Sequence, residues 1–421
     1  MIEVDISKAR IKEKEVLAKP ITKLIRKAHD KLRSLDRSIG TGWVDLPLNT
    51  TKTDISTIKR MAKEVQEKAD VLLVIGIGGS YLGAYSAISM LKRQPKTEIK
   101  FIGLDFNAYE IMKTLEDIKT KDVCVNVISK SGTTTETLIA FELVEAFMKK
   151  KYKRKDDYKS RIIVTTDYEK GYLRDVCSRE GYQSLVLPRT VGGRYSVLTP
   201  VGLFPMSVAG INIEKVINGA KNAYDYCFEY EPLKNPAYKY GATRYILHKK
   251  EKKLLELTTT FDDRLPALLS WHQQLFAESE GKNGKGLFVA NSKYSTDLHS
   301  VGQFVQEGSP ILFETVLNVK VPEEDIKLEN LKVDSPISYL EGKLLSDVNR
   351  SAYNGVVDAH LAGKVPVVQI HVDAINEETY GELVFFFETA CAVSAYMLGV
   401  DPFNQPGVEA YKKRMKENLN K

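Results

Sequence analysis

Short apolar runs alternate with helix-like stretches along most of this 421-residue chain, and that rhythm limits the possible folds more than any other feature. Five runs of strand length come first, at residues 71–75, 100–104, 123–128, 162–165 and 184–187. Helix-like segments lie between them, for example 81–91 and 136–148. Buried strands separated by helices are typical of a parallel sheet covered on both faces. The first half of the chain is therefore predicted to be a doubly wound α/β domain.

The same rhythm returns after a Tyr- and Lys-rich stretch, residues 210–252, that is predicted to be helical. Four further strand-like runs follow at 254–259, 286–290, 311–319 and 365–372. Because the chain is too long for one ordinary core, two doubly wound parallel-sheet domains are predicted, with a C-terminal helical extension. The predicted division is an N-terminal helical extension (1–50), a first domain (51–210), a second domain (211–400) and a C-terminal helix (401–421).

Composition and charge narrow the class of function. The chain has 61 Lys plus Arg against 55 Asp plus Glu, a formal charge of +6, which favours a small anionic ligand but does not predict nucleic-acid binding. The basic run at 149–155 follows a helix-like stretch and suits the negative end of a helix dipole. Four scattered cysteines without a CxxC pair, and no apolar leader, predict a cytoplasmic protein without disulfides or a zinc site.

One segment, residues 383–400, is nearly long enough to cross a membrane. Glu388, Thr389 and Ser394 interrupt its apolar character. The segment is therefore predicted to be a helix buried in a large core, and no membrane is expected as a partner.

A glycine-rich turn follows the first apolar run and opens a helix: Gly76-Ile77-Gly78-Gly79-Ser80-Tyr81-Leu82-Gly83. Glycines let the backbone approach an anion, and a helix N-terminus supplies free N–H groups. A dinucleotide fingerprint would require glycine where Tyr81 stands, and Asp105 comes late for its acidic residue. The turn therefore stays open to two interpretations, an anion site or tight strand–helix packing.

A second polar turn follows the run that ends at Ile128: Ser129-Lys130-Ser131-Gly132-Thr133-Thr134-Thr135-Glu136-Thr137. The hydroxyl groups at 129, 131, 133 and 134 can each donate a hydrogen bond to a phosphoryl oxygen, and Lys130 adds charge. The Walker pattern GxxxxGK[ST] is absent. A turn that only caps a helix is the alternative, but a cap needs one hydroxyl. Four hydroxyls beside a lysine favour a phosphomonoester site.

Three later segments carry polar groups that packing alone does not explain. They are Val191-Gly192-Gly193-Arg194-Tyr195-Ser196, Trp271-His272-Gln273-Gln274-Leu275-Phe276-Ala277-Glu278-Ser279-Glu280-Gly281-Lys282, and Phe403-Asn404-Gln405-Pro406-Gly407-Val408-Glu409-Ala410-Tyr411-Lys412. The first sets an arginine beside two glycines, where a ligand has room to approach. The second is predicted to be a helix that delivers carboxylates to a glycine-containing loop, and the third a turn that starts a helix.

Together the segments resemble the glucose-6-phosphate isomerase (phosphoglucose isomerase) family, of the short bacterial type. GGRYS and FNQPGVEAYK are specific to that family, whereas SKSGTTTET is shared by sugar-phosphate-binding SIS (sugar isomerase) domains. Matching motifs run from Gly76 to Lys412, most of the chain. The resemblance implies two SIS-type αβα-sandwich domains and reversible isomerisation of glucose 6-phosphate and fructose 6-phosphate, in glycolysis and gluconeogenesis. It implies no cofactor and no metal, and a homodimer with active sites near the subunit interface.

The resemblance also implies a role for individual residues. Glu278 would be the base that moves the proton between C1 and C2, and Arg194 would stabilise the enediolate oxygens. His299 and Lys412 would assist ring opening. The remaining predicted positions bind substrate: Ser129, Lys130, Ser131 and Thr134 at the phosphate, Gly79 and Ser80 against the sugar, and Gln274 and Gln405 as further substrate-lining groups.

Aldose–ketose isomerisation requires these residue types on chemical grounds as well, since it needs a base and stabilisation of an oxyanion. Simpler interpretations stay open for single residues. Glu280 could take the role of base, Glu278 could simply cap a helix end or be solvated there, and Arg194 could belong to an interdomain ion pair. The other histidines are predicted to be structural or surface residues: His29, His248, His272, His360 and His371.

Three other classes of protein remain as alternatives. A metal-dependent isomerase would need clustered ligands, but the six histidines are scattered and HExxH is absent. A non-catalytic SIS-type sensor would suit the phosphate turn equally well, without needing Arg194, Glu278 or Lys412. A dinucleotide-dependent enzyme on sugar phosphates is disfavoured by Tyr81.

Overall fold

The computed structural model describes residues 1–34, 37, 40–153 and 157–420 and contains two five-stranded sheets. In chain order the strands are β1 (Glu3–Asp5), β2 (Val71–Ile75), β3 (Glu98–Ile102), β4 (Val123–Ile128), β5 (Ile162–Thr166), β6 (Gln183–Val186), β7 (Leu255–Thr260), β8 (Phe288–Lys293), β9 (Leu312–Val319) and β10 (Val367–Val372). The nine predicted strands are confirmed, with ends shifted by at most three residues.

Sixteen α-helices surround the sheets within the described residues. They are α1 (Glu13–Val16), α2 (Lys19–Arg33), α3 (Leu46–Asn49), α4 (Lys52–Lys68), α5 (Leu82–Leu91), α6 (Ala108–Asp117), α7 (Thr135–Lys151), α8 (Tyr172–Glu180), α9 (Pro200–Val208), α10 (Ile213–Cys227), α11 (Pro236–Lys249), α12 (Pro266–Glu280), α13 (Gly302–Glu307), α14 (Leu345–Ala362), α15 (Glu377–Leu398) and α16 (Glu409–Leu419). Part of the basic run after α7 (Arg154 and Lys155), and the last residue of the C-terminal segment, Lys421, lie outside the described residues.

The first sheet is fully parallel, in the order β3-β2-β4-β5-β6. Its central strands β2 and β4 are buried along their whole length, as their continuous apolar sequences require. The chain leaves β2 toward β3 and then crosses to β4 on the other side. In doubly wound sheets, ligands bind at such a reversal, outside the carboxyl ends of the strands. The two polar turns predicted from the sequence lie at this point.

The second sheet has the order β1-β10-β9-β7-β8. Strands β7 to β10 are parallel, and β1 pairs antiparallel with β10 at the edge. The predicted N-terminal helical extension therefore begins with a strand of the second sheet. Three residues are too few for a recognisable alternation, which is why this strand was not predicted from the sequence.

The segment that resembles a membrane span is the core helix α15. It is long and apolar enough to cross a membrane, but 89% of its apolar window is buried inside the protein. Helix α10 packs very closely against it, because a Cβ on Gly219 or Gly381 would lie 1.9 Å from a backbone oxygen of the other helix. The prediction of a buried core helix is confirmed.

Helix α12 connects the two sheets, since it follows β7 of the second sheet and packs against α5 of the first. It starts at the carboxyl edge of the second sheet and ends with Glu278, Ser279 and Glu280. The last turn of α12 thus lies between the two domains, next to the reversal point of the first sheet.

Candidate active site

The glycine turn after β2 contacts the turn that carries Arg194. A Cβ on Gly79 would lie 2.3 Å from the carbonyl oxygen of Gly193, so only glycine permits this approach. Gly78 has a φ of +59°, and a Cβ there would lie 2.9 Å from Nε2 of Gln274 on α12. Ser80, partly exposed, completes the 3-10 turn. This turn is tightly packed and yet partly exposed. An anion site and tight strand–helix packing are therefore compatible interpretations of it.

Arg194 is only 3% exposed, and four of its five N–H donors make hydrogen bonds to protein groups. Nε donates to Oγ of Ser279 at 2.8 Å, and Nη2 donates to the carbonyl oxygens of Pro402 at 2.5 Å and Asn404 at 3.1 Å. Nη1 donates to Oε1 of Gln405 at 2.9 Å and lies 3.3 Å from a carboxylate oxygen of Glu278. Nε and Nη2 fix the guanidinium, while Nη1 contacts Gln405 and Glu278. We call the region around Nη1, between the glycine turn, the end of α12 and residues 402–405, the cleft.

Glu278 is the carboxylate that faces the cleft. Its side chain is 22% exposed, its Oε1 pairs with Arg194, and its Oε2 accepts a hydrogen bond from Nε2 of Gln274 at 3.1 Å. Glu280, the other candidate for the base, is completely buried and paired with Arg244. A buried carboxylate held by an arginine cannot reach a substrate, so the geometry favours Glu278 over Glu280. Oε1 of Gln274 is buried without a hydrogen-bond partner among the described residues.

The hydroxyl-rich turn after β4 does not cap helix α7. Oγ of Ser129 accepts from the backbone N–H of Gly132 and lies 3.2 Å from Oγ1 of Thr134, and Ser131 accepts from Thr133. Thr134 is the N-cap residue of α7, yet its side chain makes no cap hydrogen bond to that helix. The first N–H groups of α7 are therefore available to an anion, and the dipole of this 17-residue helix favours one there.

Lys130 links the hydroxyl-rich turn to the Arg194 turn. Its ammonium donates to the carbonyl oxygens of Arg189 at 2.8 Å and Val191 at 2.7 Å, three residues before Arg194. Desolvation by burial lowers the pKa of Lys130, partly offset by the charge of Asp167. Two of its three N–H donors are used, which leaves one for a ligand. Residues 129–134 and Glu278 are thus connected through one continuous set of contacts.

The C-terminal segment closes the same region. Gln405 contacts Arg194, as described above, and Lys412 on α16 is hydrogen-bonded to Glu409 at 2.9 Å, which raises the pKa of Lys412. Lys412 also interacts electrostatically with Glu136 in the first turn of α7. Helix α16 has no buried residue, so this electrostatic interaction is what relates Lys412 to the hydroxyl-rich turn.

His299 makes no contact with the other predicted site residues in the described chain. It is exposed, in the 3-10 turn Thr296–His299 that follows β8. The end of β8 is aligned with the end of β7, where α12 is about to begin. Glu278 lies near the other end of that helix, about 18 Å along its axis from Pro266 at 1.5 Å per residue. Within one chain, His299 and Glu278 are at opposite ends of α12.

Several groups of the site were not predicted from the sequence. Ser279 accepts the hydrogen bond from Nε of Arg194, and the ammonium of Lys282 donates to the carbonyl oxygens of Ser279 and Asp401. Lys282 therefore ties the end of α12 to the loop that holds Arg194. Ser279 and Lys282 lie in the segment 271–282 that the sequence analysis singled out. Apart from the local contact between them, their partners are more than 80 residues away in sequence. No sequence signal identifies those partners.

Fold and site together define a class of protein: a two-domain SIS-type α/β protein with a hydroxyl-rich turn and an arginine–glutamate pair. A structure of a hypothetical protein from Thermus thermophilus has this fold, with a TM-score of 0.90 and 25% identity over 100% of both chains. A glucose-6-phosphate isomerase structure from Chlamydia trachomatis superposes with a TM-score of 0.84 and 16% identity, covering 100% of this chain and 88% of that one.

The family follows from sequence comparison. The phosphoglucose isomerase family model matches residues 57–421. A glucose-6-phosphate isomerase from Clostridioides difficile strain 630 is 46% identical over 408 residues, which cover 94% of this chain and 90% of that protein. This chain belongs to the phosphoglucose isomerase family, as the resemblance of its motifs predicted.

Proposed function

We propose that this chain interconverts glucose 6-phosphate and fructose 6-phosphate, the first isomerisation of glycolysis and its reverse in gluconeogenesis, in the cytoplasm. The observation that carries the proposal is the pairing of Glu278 with Arg194 at 3.3 Å, in a cleft next to an uncapped helix N-terminus. A base, an oxyanion stabiliser and an anion site are the three parts that the reaction needs.

The phosphoryl group of the substrate lies against the hydroxyl-rich turn and the N-terminus of α7. Ser129, Ser131 and Thr134 donate hydrogen bonds to it, and Lys130 donates its remaining N–H. Gly79 and Ser80 lie against the sugar, and the absence of a side chain at 79 lets the glycine turn approach the turn that carries Arg194. Phosphate contacts remote from the reacting carbons fix the orientation of the sugar and reduce the entropy that the reaction must lose.

Once the ring is open, Glu278 takes the proton from C2 of the aldose, or from C1 of the ketose, and returns it to the neighbouring carbon. Nη1 of Arg194 exchanges its contacts with Gln405 and Glu278 for the developing enediolate oxygen. Gln274 holds the other oxygen of the Glu278 carboxylate, so the base keeps one orientation through both transfers. Lys412 and His299 move protons during ring opening. No cofactor takes part.

The enzyme is a homodimer in this proposal, because His299 and Glu278 lie at opposite ends of α12 in one chain. A second copy brings its own exposed histidine turn to the cleft, so that His299 of the partner subunit completes the site. Sedimentation or light scattering tests the assembly: a mass twice the 47.4 kDa of the chain supports it, and a fully active monomer contradicts it.

The reaction itself is tested with fructose 6-phosphate in heavy water, using purified protein without added cofactor. Formation of glucose 6-phosphate with partial deuterium uptake at C2 supports a proton transfer through an enediolate. Product without any deuterium, at every conversion, would indicate a hydride shift or a fully shielded proton. A requirement for added NAD, or loss of turnover in a chelator, would favour one of the other enzyme classes.

The first testable prediction concerns the hydroxyl-rich turn, residues 129–134. Changing Ser129 to alanine or Thr134 to valine should raise KM for fructose 6-phosphate about 10- to 150-fold and leave kcat nearly unchanged, since a hydrogen bond to a charged group contributes about 1.5–3 kcal/mol. Thr134→Val should not weaken α7, because the Thr134 hydroxyl makes no cap bond. The inhibition constant of inorganic phosphate should rise in parallel with KM.

Thr133 is the matched control in the same turn. Its hydroxyl is exposed and bound to Ser131, and Thr133→Val should change KM less than 2-fold, a rough bound for a hydrogen bond already exposed to water. If Thr133→Val and Thr134→Val affect KM equally, the assignment of the phosphate to this turn is wrong.

The second prediction concerns the pH dependence of kcat/KM. Desolvation, together with the nearby Arg194 cation, lowers the pKa of Lys282 to about 8. A lysine with a lowered pKa loses its proton first in the folded enzyme, so a positive charge beside the cleft disappears as pH rises through about 8. The value of kcat/KM for the anionic substrate should fall over that range.

Lys282→Arg keeps the positive charge at high pH. The kcat/KM of this variant should therefore stay constant to a higher pH than that of the unchanged enzyme. The control is Lys285→Arg, three residues further on, whose ammonium donates to the carbonyl oxygen of Leu398 at 3.1 Å. That variant should show the same alkaline decrease as the unchanged enzyme. An identical decrease in Lys282→Arg would assign the titration to another group.

A further inference from the structure

A completely buried ionic cluster lies directly behind the proposed base. Arg244 on α11 pairs with Glu256 on β7 at 2.8 Å and with Glu280 on α12 at 2.5 Å, and all three side chains have 0% exposure. Nη1 of Arg244 also donates to Oγ of Ser394 on the core helix α15 at 2.9 Å. We call these three residues, Arg244, Glu256 and Glu280, the Arg244 cluster.

Stability does not explain the Arg244 cluster. It places one cation and two anions, a net charge of −1, in the core, and desolvation of such groups commonly offsets their attraction. Nη2 of Arg244 and Oε2 of Glu280 are buried and have no hydrogen-bond partner among the described residues. Apolar side chains of similar volume would stabilise this position at least as well.

The position of the cluster suggests what it contributes. Residues 278, 279 and 280 are consecutive in the last turn of α12, and each is held by an arginine. Glu278 and Ser279 bind Arg194, and Glu280 binds Arg244. The negative end of the helix dipole is an unfavourable place for two carboxylates, and the last turn contains no basic residue. Without an added cation this turn would fray and displace Glu278.

We propose that Arg244 and Glu280 are positioning residues that fix the last turn of α12, and with it the carboxylate of Glu278 relative to Arg194. Arg244 suits this task because it is anchored elsewhere, to β7 through Glu256 and to α15 through Ser394. Tyr240 and Thr315 in turn hold the second oxygen of Glu256, at 2.6 and 2.7 Å. The end of α12 that carries the base is thus tied through Arg244 to a strand of the second sheet. This inference rests on the role proposed for Glu278.

The same domain contains a control with equal burial. Glu314 on β9 has 0% exposure and is paired with His360 of α14 at 2.7 Å and with Thr259 at 2.9 Å. Its neighbour across the sheet is Leu257, so Glu314 points to the face opposite Glu256. Any loss of stability from changing a buried carboxylate should be shared by Glu314 and Glu280, but only Glu280 touches the end of α12.

The main experiment compares Glu280→Leu with Glu314→Leu in the full-length enzyme, assayed with fructose 6-phosphate. Glu280→Leu leaves Arg244 and Glu256 as a pair without net charge, so the protein should fold. Its kcat should fall about 10- to 100-fold with KM changed less than 3-fold, since a displacement of about 1 Å at a base can reduce rate by 10²-fold. Glu314→Leu should keep kcat within about 3-fold of the unchanged enzyme, because nothing in the proton-transfer geometry depends on it.

A second measurement does not depend on turnover. Amide hydrogen exchange at residues 279–282 should become faster in Glu280→Leu and stay unchanged in Glu314→Leu. If Glu280→Leu does not fold, Arg244→Lys decides the matter, because one ammonium cannot span both carboxylates. That variant should show the same loss of kcat, the same unchanged KM and the same faster exchange.

The inference is overturned if kcat falls equally in Glu280→Leu and Glu314→Leu, if the loss appears in KM instead, or if exchange at 279–282 does not change. Wild-type kcat in Arg244→Lys would overturn it as well. Failure of the proposed function looks different: the unchanged enzyme would not isomerise fructose 6-phosphate, while the exchange measurement would still report whether the cluster holds the end of α12.

Discussion

Glu278→Gln is expected to reduce kcat by about 10²–10⁴-fold, the usual contribution of a positioned general base. Glutamine has nearly the same shape and keeps an oxygen for the hydrogen bond from Gln274, but it cannot take a proton. Binding should survive, since the phosphate contacts are elsewhere, so KM should change little. Single-turnover kinetics with fructose 6-phosphate would measure the loss, and deuterium uptake from heavy water should disappear with it.

Glu307 provides the matched control for this substitution. It ends helix α13 and accepts a hydrogen bond from Gln303 at 2.8 Å, the same i, i+4 glutamine–glutamate pairing that Gln274 and Glu278 make on α12. Glu307→Gln should retain full turnover. Normal turnover in Glu278→Gln would show that the proton is carried by another group, and Glu280, buried against Arg244, would not be the replacement.

The sequence was sufficient for most of the strands, because the central ones, such as β2 and β4, are buried along their length and form continuous apolar runs. Val71–Ile75 and Val123–Ile128 have the bounds that the pattern predicted. The same reasoning failed for β1, where only Val4 of three residues is buried. Its pairing with β10 connects residues more than 360 positions apart, and no local pattern records such a contact.

For the site, too, the sequence predicted local turns but not the contacts between residues distant in the chain. Turns at the carboxyl ends of β2 and β4 were predicted, because parallel strands place their carboxyl ends at one edge. The partners of Lys130 and Arg194 were not, since both cations bind backbone carbonyl oxygens, which every residue carries. Arg244 was missed because a single charge in a helix normally indicates an exposed face, and only its position against Glu256 and Glu280 shows otherwise.

Arg194 joins the two domains, so it can act both as an interdomain brace and as the group that stabilises the enediolate. Experiment can separate these two roles. The 3-10 turn Gly193–Tyr195 belongs to the first domain, while Ser279 and Glu278 belong to α12 of the second. An arginine that only braced the domains would contribute to stability and not to the rate of the folded enzyme. One that also stabilises the enediolate contributes to kcat. A conservative substitution distinguishes the two.

Arg194→Lys should lower kcat by about 10²–10³-fold, the usual loss when one donor to an oxyanion is removed. Lysine keeps the charge, but its single ammonium cannot bind Ser279, two carbonyl oxygens and a developing oxyanion together. The thermal midpoint should also fall, because the loop at 402–405 loses its contacts, so kcat must be measured well below that midpoint.

Arg161→Lys is the control for the structural part of that effect. Arg161 also donates to backbone carbonyl oxygens, of Lys68 at 2.8 Å and Val123 at 3.5 Å, but at the amino edge of the first sheet, away from the cleft. It should lower the thermal midpoint and leave kcat within about 2-fold, since substitutions away from the reacting groups leave transition-state binding unchanged. If Arg194→Lys behaves in the same way, Arg194 braces the domains and the oxyanion is stabilised by another donor.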